Sequence, residues 1–225
     1  LGIQKEDPSA LQTTLEKIHN YNNNIKFYTD ASKIKEKTGI GIFIPSKNYE
    51  LSQRTTDNIS IFTAELTAIQ KALHWSVQQE PGDNIAIFTD SLSSVQAISN
   101  YDSSSIKPII QDILQHITTL KTNGVSCTLI WIPSHIGIRG NETADKLAKI
   151  ATDHPTIQIT VPHTIDDIRN IIKTKTFEEW KAIWRNLYQS SHHRELNPQP
   201  SFHSQFQEKK KKKEVIISRL RLNCT

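Results

Sequence analysis

Two apolar stretches of this chain end alike. Ile25-Lys26-Phe27-Tyr28-Thr29-Asp30 and Ile85-Ala86-Ile87-Phe88-Thr89-Asp90 both stop at Thr-Asp, followed by a small residue, Ala31 or Ser91. In open α/β sheets the carboxyl ends of strands form the ligand crevice. If these two strands are parallel neighbours, Asp30 and Asp90 stand side by side, and two such carboxylates repel unless one is protonated or a cation lies between them. An Asp after a strand is also an ordinary cap for the next turn, so neither residue argues alone. Glu65 adds weight. Phe62, Leu66, Ile69 and Leu73 recur at helical spacing, and Glu65 lies about 60° from the centre of that stripe. There it either reaches out to water or is paired or metal-bound, because an unpaired buried carboxylate is costly. Asp145 falls early in a helical run, Gly140–Ala148, where the positive helix end favours a carboxylate. A surface acid complementing the dipole would do the same, and Glu142 fits that role better. His135 precedes Asp145 in a loop bearing Pro, Ser and Gly, and Asn141 is a natural N-cap.

The elements that must carry these residues can be read from periodicity and punctuation. A short helix around Ala10–Ile18 precedes strands Ile25–Thr29, Thr38–Pro45 and Tyr49–Thr55, the last two separated by Pro45-Ser46-Lys47-Asn48. A helix over Ser60–Gln79 is closed by Pro81-Gly82. Strand Asn84–Thr89, helices Leu92–Ser99 and Ser103–Thr122, strand Ser126–Ile132 and helix Asn141–Thr152 follow. Strand–helix alternation in the second half implies parallel strands covered by helices. Two more helices are expected at Ile165–Lys173 and Phe177–Tyr188. The fold class is thus α/β, and the expected domain borders are 1–24 for a lead-in, 25–153 for the main domain and 154–225 for a helical and basic extension.

Charge is unevenly shared. Residues 1–155 carry 14 Lys+Arg and 16 Asp+Glu, whereas residues 156–225 carry 13 and 7. Such a basic end suits an anionic polymer, although the run Lys209–Lys213 reads more readily as a solvated linker than as a phosphate contact. No apolar run reaches 18 residues, which excludes a membrane span by sequence. Two distant cysteines, Cys127 and Cys224, have no metal-ligand spacing, and Cys127 sits in an apolar run as a small core residue. The absence of methionine, even at position 1, suggests a fragment of a longer product.

The ordered set Tyr28-Thr29-Asp30-Ala31-Ser32, Phe62-Thr63-Ala64-Glu65-Leu66, Phe88-Thr89-Asp90-Ser91, Ile132-Pro133-Ser134-His135 and Gly140-Asn141-Glu142-Thr143-Ala144-Asp145 resembles the type 1 ribonuclease H family. More narrowly, it is similar to the ribonuclease H domain of jockey-like non-LTR retrotransposons, which follows a reverse transcriptase in one polyprotein. The resemblance covers residues 25–153. The stretch Phe177–Pro198 and the end Ile217–Leu222 resemble the downstream part of such elements. It implies a mixed five-stranded sheet with helices on both faces, continued by a helical or disordered basic extension. It also implies an endonuclease that hydrolyses the RNA strand of RNA–DNA hybrids inside the cell, in cytoplasm or nucleus. Asp30, Glu65, Asp90 and Asp145 would hold two Mg²⁺ ions, with Mn²⁺ able to substitute. Hard cations of this kind take oxygen ligands, and a metal pair suits in-line displacement without a protein nucleophile. In the family His135 would serve proton transfer or product release, and Ser91 and Asn141 would help hold the scissile strand or order the site.

Two departures qualify the match. Many members have Gly where Ala31 stands, which lets substrate backbone approach closely. A basic hybrid-gripping insert is missing between Asp90 and Cys127, where only Lys107 and Lys121 occur. The alternative to an active nuclease is a catalytically decayed nucleic-acid-binding remnant of the same fold. DEDD exonucleases would need Glu at Ser32, and a D-D-E transposase order leaves Glu65 unexplained. Trp180 and Trp184, one helical turn apart, are expected as core rather than as stacking platforms for bases.

Overall fold

The computed structural model describes residues 9–79, 82–101 and 108–187. They fall into two compact units, one running to Asp167 and the other starting at Ile168. In the first, β1 (Ile25–Ile34), β2 (Lys37–Ile44) and β3 (Tyr49–Arg54) form an antiparallel meander, and β4 (Ile85–Thr89) and β5 (Cys127–Trp131) extend it in parallel beyond β1. The strand order is β3-β2-β1-β4-β5. Five helices accompany the sheet: α1 (Ala10–His19), α2 (Ile61–Val77), α3 (Leu92–Ser99), α4 (Pro108–Thr122) and α5 (Arg139–Asp153).

Alternation along the strands decides which helix covers which face. Phe27, Ile42, Ile44, Ile85 and Ile87 point into a core shared with Leu66, Ile69 and Leu73 of α2 and Ile113 and Leu120 of α4. Tyr28, Ala86, Phe88 and Ile130 point the other way, towards Ile18 of α1 and Ala144 of α5. β4 is buried on both faces, which is why it reads as an unbroken apolar run. Fully burying a side chain such as Phe88 or Leu66 contributes about 1.5–3 kcal/mol. Cys127 packs beside the first core, and burial pushes its thiol up to about 12, so it behaves as an inert small hydrophobe.

The contact between α5 and β2 is a backbone contact. A Cβ on Gly41 would collide with the Ala144 carbonyl oxygen, and one on Gly39 would lie 2.5 Å from the Ala151 Cβ and 2.6 Å from the Ala148 oxygen. Gly41 is the register partner of Asp30, so this close approach brings the helix bearing Asn141 and Asp145 down beside Asp30.

Three expectations are corrected by these elements. β1 does not stop at Thr29: its pairing with β4 ends there, but β2 continues to pair with it as far as Ile34. α5 starts at Arg139 after Ile138, with no side-chain cap, so Asn141 is the third helical residue and not the N-cap. The two helices expected after Thr164 are one, α6 (Ile165–Leu187), because neither Pro nor Gly interrupts that stretch. Trp180 and Trp184 meet edge to face on it, with centroids 6.3 Å apart. Tyr188, the start of the expected helix at 103–107, Lys209–Lys213, Ile217–Leu222 and Cys224 lie outside the described residues.

After α5 the chain turns back along β3. The Arg54 guanidinium donates to the carbonyls of His154 and Pro155 and forms a double contact at 2.8 Å with the Asp57 carboxylate. Ile159 bridges to Thr55, and the Val161 amide donates to the Thr56 hydroxyl. Residues 154–167 are therefore a strap on the first unit. Among the described residues no helix is long and apolar enough to cross a membrane.

Candidate active site

Because Thr29 is paired with Thr89, Asp30 and Asp90 stand at the same level, one residue past the last parallel pair. α2 brings Glu65 to the same place. Ligand oxygens of Asp30, Glu65 and Asp90 lie within 4.8 Å of one another. Asp30 and Glu65 are only 6% and 7% exposed, which rules out a glutamate merely reaching for water at position 65. The Ala31 amide donates to Asp30 Oδ1 at 2.7 Å. Asn141 Nδ2 donates to Asp90 Oδ2 at 3.2 Å, and the Trp131 indole N–H donates to the Asp90 carbonyl at 3.1 Å. Glu65 Oε2 is buried without any hydrogen-bond partner.

The electrostatics follow from crowding acids in a dry place. Burial first, then the charge of Asp90, pushes Asp30 up to about 8. Burial, then Asp30 and Asp90, holds Glu65 well above the usual carboxylate range. Asp90 is also raised by burial, with the Asn141 hydrogen bond and His135 opposing. Burial and mutual repulsion thus favour the neutral form in all three acids, and the orphaned Glu65 oxygen has a lone pair with nothing to bind. All-oxygen donors with an unfilled acceptor fit a hard divalent cation such as Mg²⁺.

A second group lies alongside. Ligand atoms of His135, Glu142 and Asp145 also fall within 4.8 Å of one another, at half-buried to exposed positions. Asp145 Oδ2 accepts from Lys149 Nζ at 2.6 Å, one turn further along α5. Its charge contributes to raising both Asp30 and Asp90, so the fourth acid acts on the triad electrically, while its close ligand partners are His135 and Glu142. Glu142 was read from sequence as a surface acid. The signal that could have found it is its spacing: Glu142 and Asp145 are three residues apart and share a helix face. His135 is exposed, with φ of 56°, a left-handed backbone that carries a strain cost for a non-glycine residue. Ser91 precedes α3: its amide donates to the Thr89 hydroxyl at 3.2 Å, and its Oγ lies 2.8 Å from Ser94 Oγ. It shapes the turn after Asp90.

A mixed sheet in this strand order, helices on both faces and a buried acidic triad where β4 ends define the ribonuclease H-like arrangement. Residues 22–153 match the family model described as RNase H, and the chain belongs to that family. No curated relative matches the chain.

Proposed function

We propose that this chain is an endonuclease that hydrolyses the RNA strand of RNA–DNA hybrids. The observation that carries the reading is the buried triad with its orphaned oxygen: Asp30, Glu65 and Asp90 within 4.8 Å, and Glu65 Oε2 unpartnered. Asp30, Glu65, Asp90 and Asp145 would hold two Mg²⁺ ions, with Mn²⁺ able to substitute. Such ions supply an activated water and neutralise charge at the leaving oxygen of an in-line displacement. The chain's own residues do the rest. Asn141 fixes the Asp90 carboxylate by its amide hydrogen bond and, from its buried place on α5, keeps that acid oriented. Lys149 offsets the charge of Asp145. His135, exposed on its loop, would give up or take a proton beside the scissile phosphate; Ser91 would help hold the scissile strand, and Asn141, buried, would order the site. Cleavage of the P–O3′ bond would leave a 5′-phosphate.

The motif set also supports an origin in a jockey-like retrotransposon polyprotein, with a reverse transcriptase upstream to help grip the hybrid. The substrate would then be met in cytoplasm or nucleus. The borders 25–153 for the nuclease and 154–225 for an extension belong to the same reading.

The test is cleavage of a labelled RNA–DNA hybrid by the full chain, with Mg²⁺ or EDTA, beside Asp90→Asn. Loss of several kcal/mol of charge stabilisation corresponds to about a thousandfold drop in rate. Cleavage that survives EDTA or the substitution contradicts the proposal. Hybrid binding without cleavage by the wild type would favour a decayed nucleic-acid-binding remnant.

A further inference from the structure

Asp167 is a carboxylate with no solvent exposure, in the first turn of α6 and beyond the span matched by the family. Burying a charge without partners costs several kcal/mol, so its surroundings must repay that. They do, from two directions. Oδ2 accepts from the Thr164 amide and hydroxyl, both at 2.8 Å, while the Asp167 amide donates to Thr164 Oγ1 at 3.1 Å. This reciprocal pair closes the start of α6 as a capping box. Oδ1 accepts from the Ser60 amide at 2.7 Å, and the Thr63 hydroxyl spans both carboxylate oxygens at 3.3 and 3.2 Å.

A capping box needs one carboxylate oxygen. The other is used on a second helix start, more than a hundred residues earlier. Ser60 is the N-cap of α2, and its hydroxyl accepts the Thr63 amide. Glu65 lies five residues further on. The apolar stripe of α2 fixes which face meets the sheet, but apolar contacts are non-directional and tolerate a small slide along the helix axis. Hydrogen bonds to the first turn do not tolerate it.

We infer that Asp167 is a positioning residue for Glu65, pinning the first turn of α2 so that the Glu65 carboxylate meets Asp30 and Asp90. The strap 154–167 then belongs to the working nuclease and is not an appendage. The inference rests on the triad being a cation site.

The experiment uses the full chain with Mn²⁺ alone as probe, counting free ion by electron paramagnetic resonance, alongside thermal unfolding and hybrid cleavage. Asp167→Asn keeps the shape but offers one acceptor oxygen where two are needed. It should weaken Mn²⁺ binding by about 3- to 10-fold, at or below the usual effect of losing a group that orients a metal ligand. The Mg²⁺ concentration for half-maximal cleavage should rise by the same factor, with KM for the hybrid unchanged. Thr164→Ala removes the hydroxyl from the α6 side only. It should lower the melting temperature comparably yet leave Mn²⁺ affinity within about twofold, a margin under 0.5 kcal/mol. Wild-type Mn²⁺ affinity in Asp167→Asn, or equal weakening by Thr164→Ala, overturns the inference. Should Asp167→Asn fail to fold, Thr63→Val removes one α2 donor at constant shape, and an unchanged affinity there overturns it equally. A wild type that binds no Mn²⁺ removes the cation site itself and both readings with it, whereas binding that ignores position 167 removes this one alone.

Discussion

The two acidic groups at the end of the sheet are built differently. Asp30, Glu65 and Asp90 come from β1, from the second turn of α2 and from the end of β4, all regular elements, and two of the three are nearly sealed from solvent. His135, Glu142 and Asp145 come from a loop and the first two turns of α5, at half-buried or exposed positions. The inner group is raised by burial and mutual repulsion; the outer one has Lys149 beside it and water around it. Strain of the first kind persists only when the surrounding fold over-determines it. On the proposed reading the inner group would hold the cation in a fixed frame, and the outer group, more exposed and partly on a loop, would be the one open to substrate and solvent.

The sharpest way to break this contrast is Asp30→Asn. Cleavage should fall about a thousandfold, as for Asp90→Asn, because each removes a charge the cations need. The same change should make the metal-free protein more stable. Asp30 has its folded value raised from 3.8 to about 8, so its contribution favours folding below pH 3.8 and is lost as pH rises through 8. Metal-free wild type should thus lose stability between pH 4 and pH 8, and Asp30→Asn should exceed it at pH 8 by at least about 1 kcal/mol. Thermal unfolding in EDTA reads both, and a flat wild-type profile would mean that the inner acids are not crowded.

His135→Ala probes the outer group. Its loss should lower kcat by about a hundredfold or less, the scale of one proton-transfer group, with KM for the hybrid and Mn²⁺ affinity unchanged. A loss of metal affinity as large as that of Asp30→Asn would erase the distinction between the groups. Lys149→Ala should matter least. An exposed i,i+4 ion pair contributes less than about 0.5 kcal/mol, so melting temperature and cleavage should barely move.

Much of this was legible in the chain because local patterns carried it. The repeated Thr-Asp ending marked both central strands, and parallel register then forced Asp30 and Asp90 together. Glu65 was legible as an acid at the edge of an apolar stripe. What escaped had partners that sequence spacing does not reveal. Asn141 was misread as a cap because Asn is a favoured N-cap residue at the start of a helical run. Gly140 is needed where α5 presses on the Tyr28 ring, and Asn141 is freed to hold Asp90. Asp167 stands in a first helical turn, where an acid is ordinary and draws no attention. Its second role depends on Ser60 and Thr63, which only the folded strap brings near.

Calorimetric titration of Mg²⁺ into the full chain at pH 7, repeated in buffers of different ionisation enthalpy, counts the protons expelled as the cation binds. If the carboxylates of Asp30, Glu65 and Asp90 hold a shared proton in the metal-free state, wild type should release about one proton per site filled. Asp30→Asn should bind weakly and release almost none. Binding by wild type with no proton release, or equal release by the variant, would contradict a cation seated among those three acids.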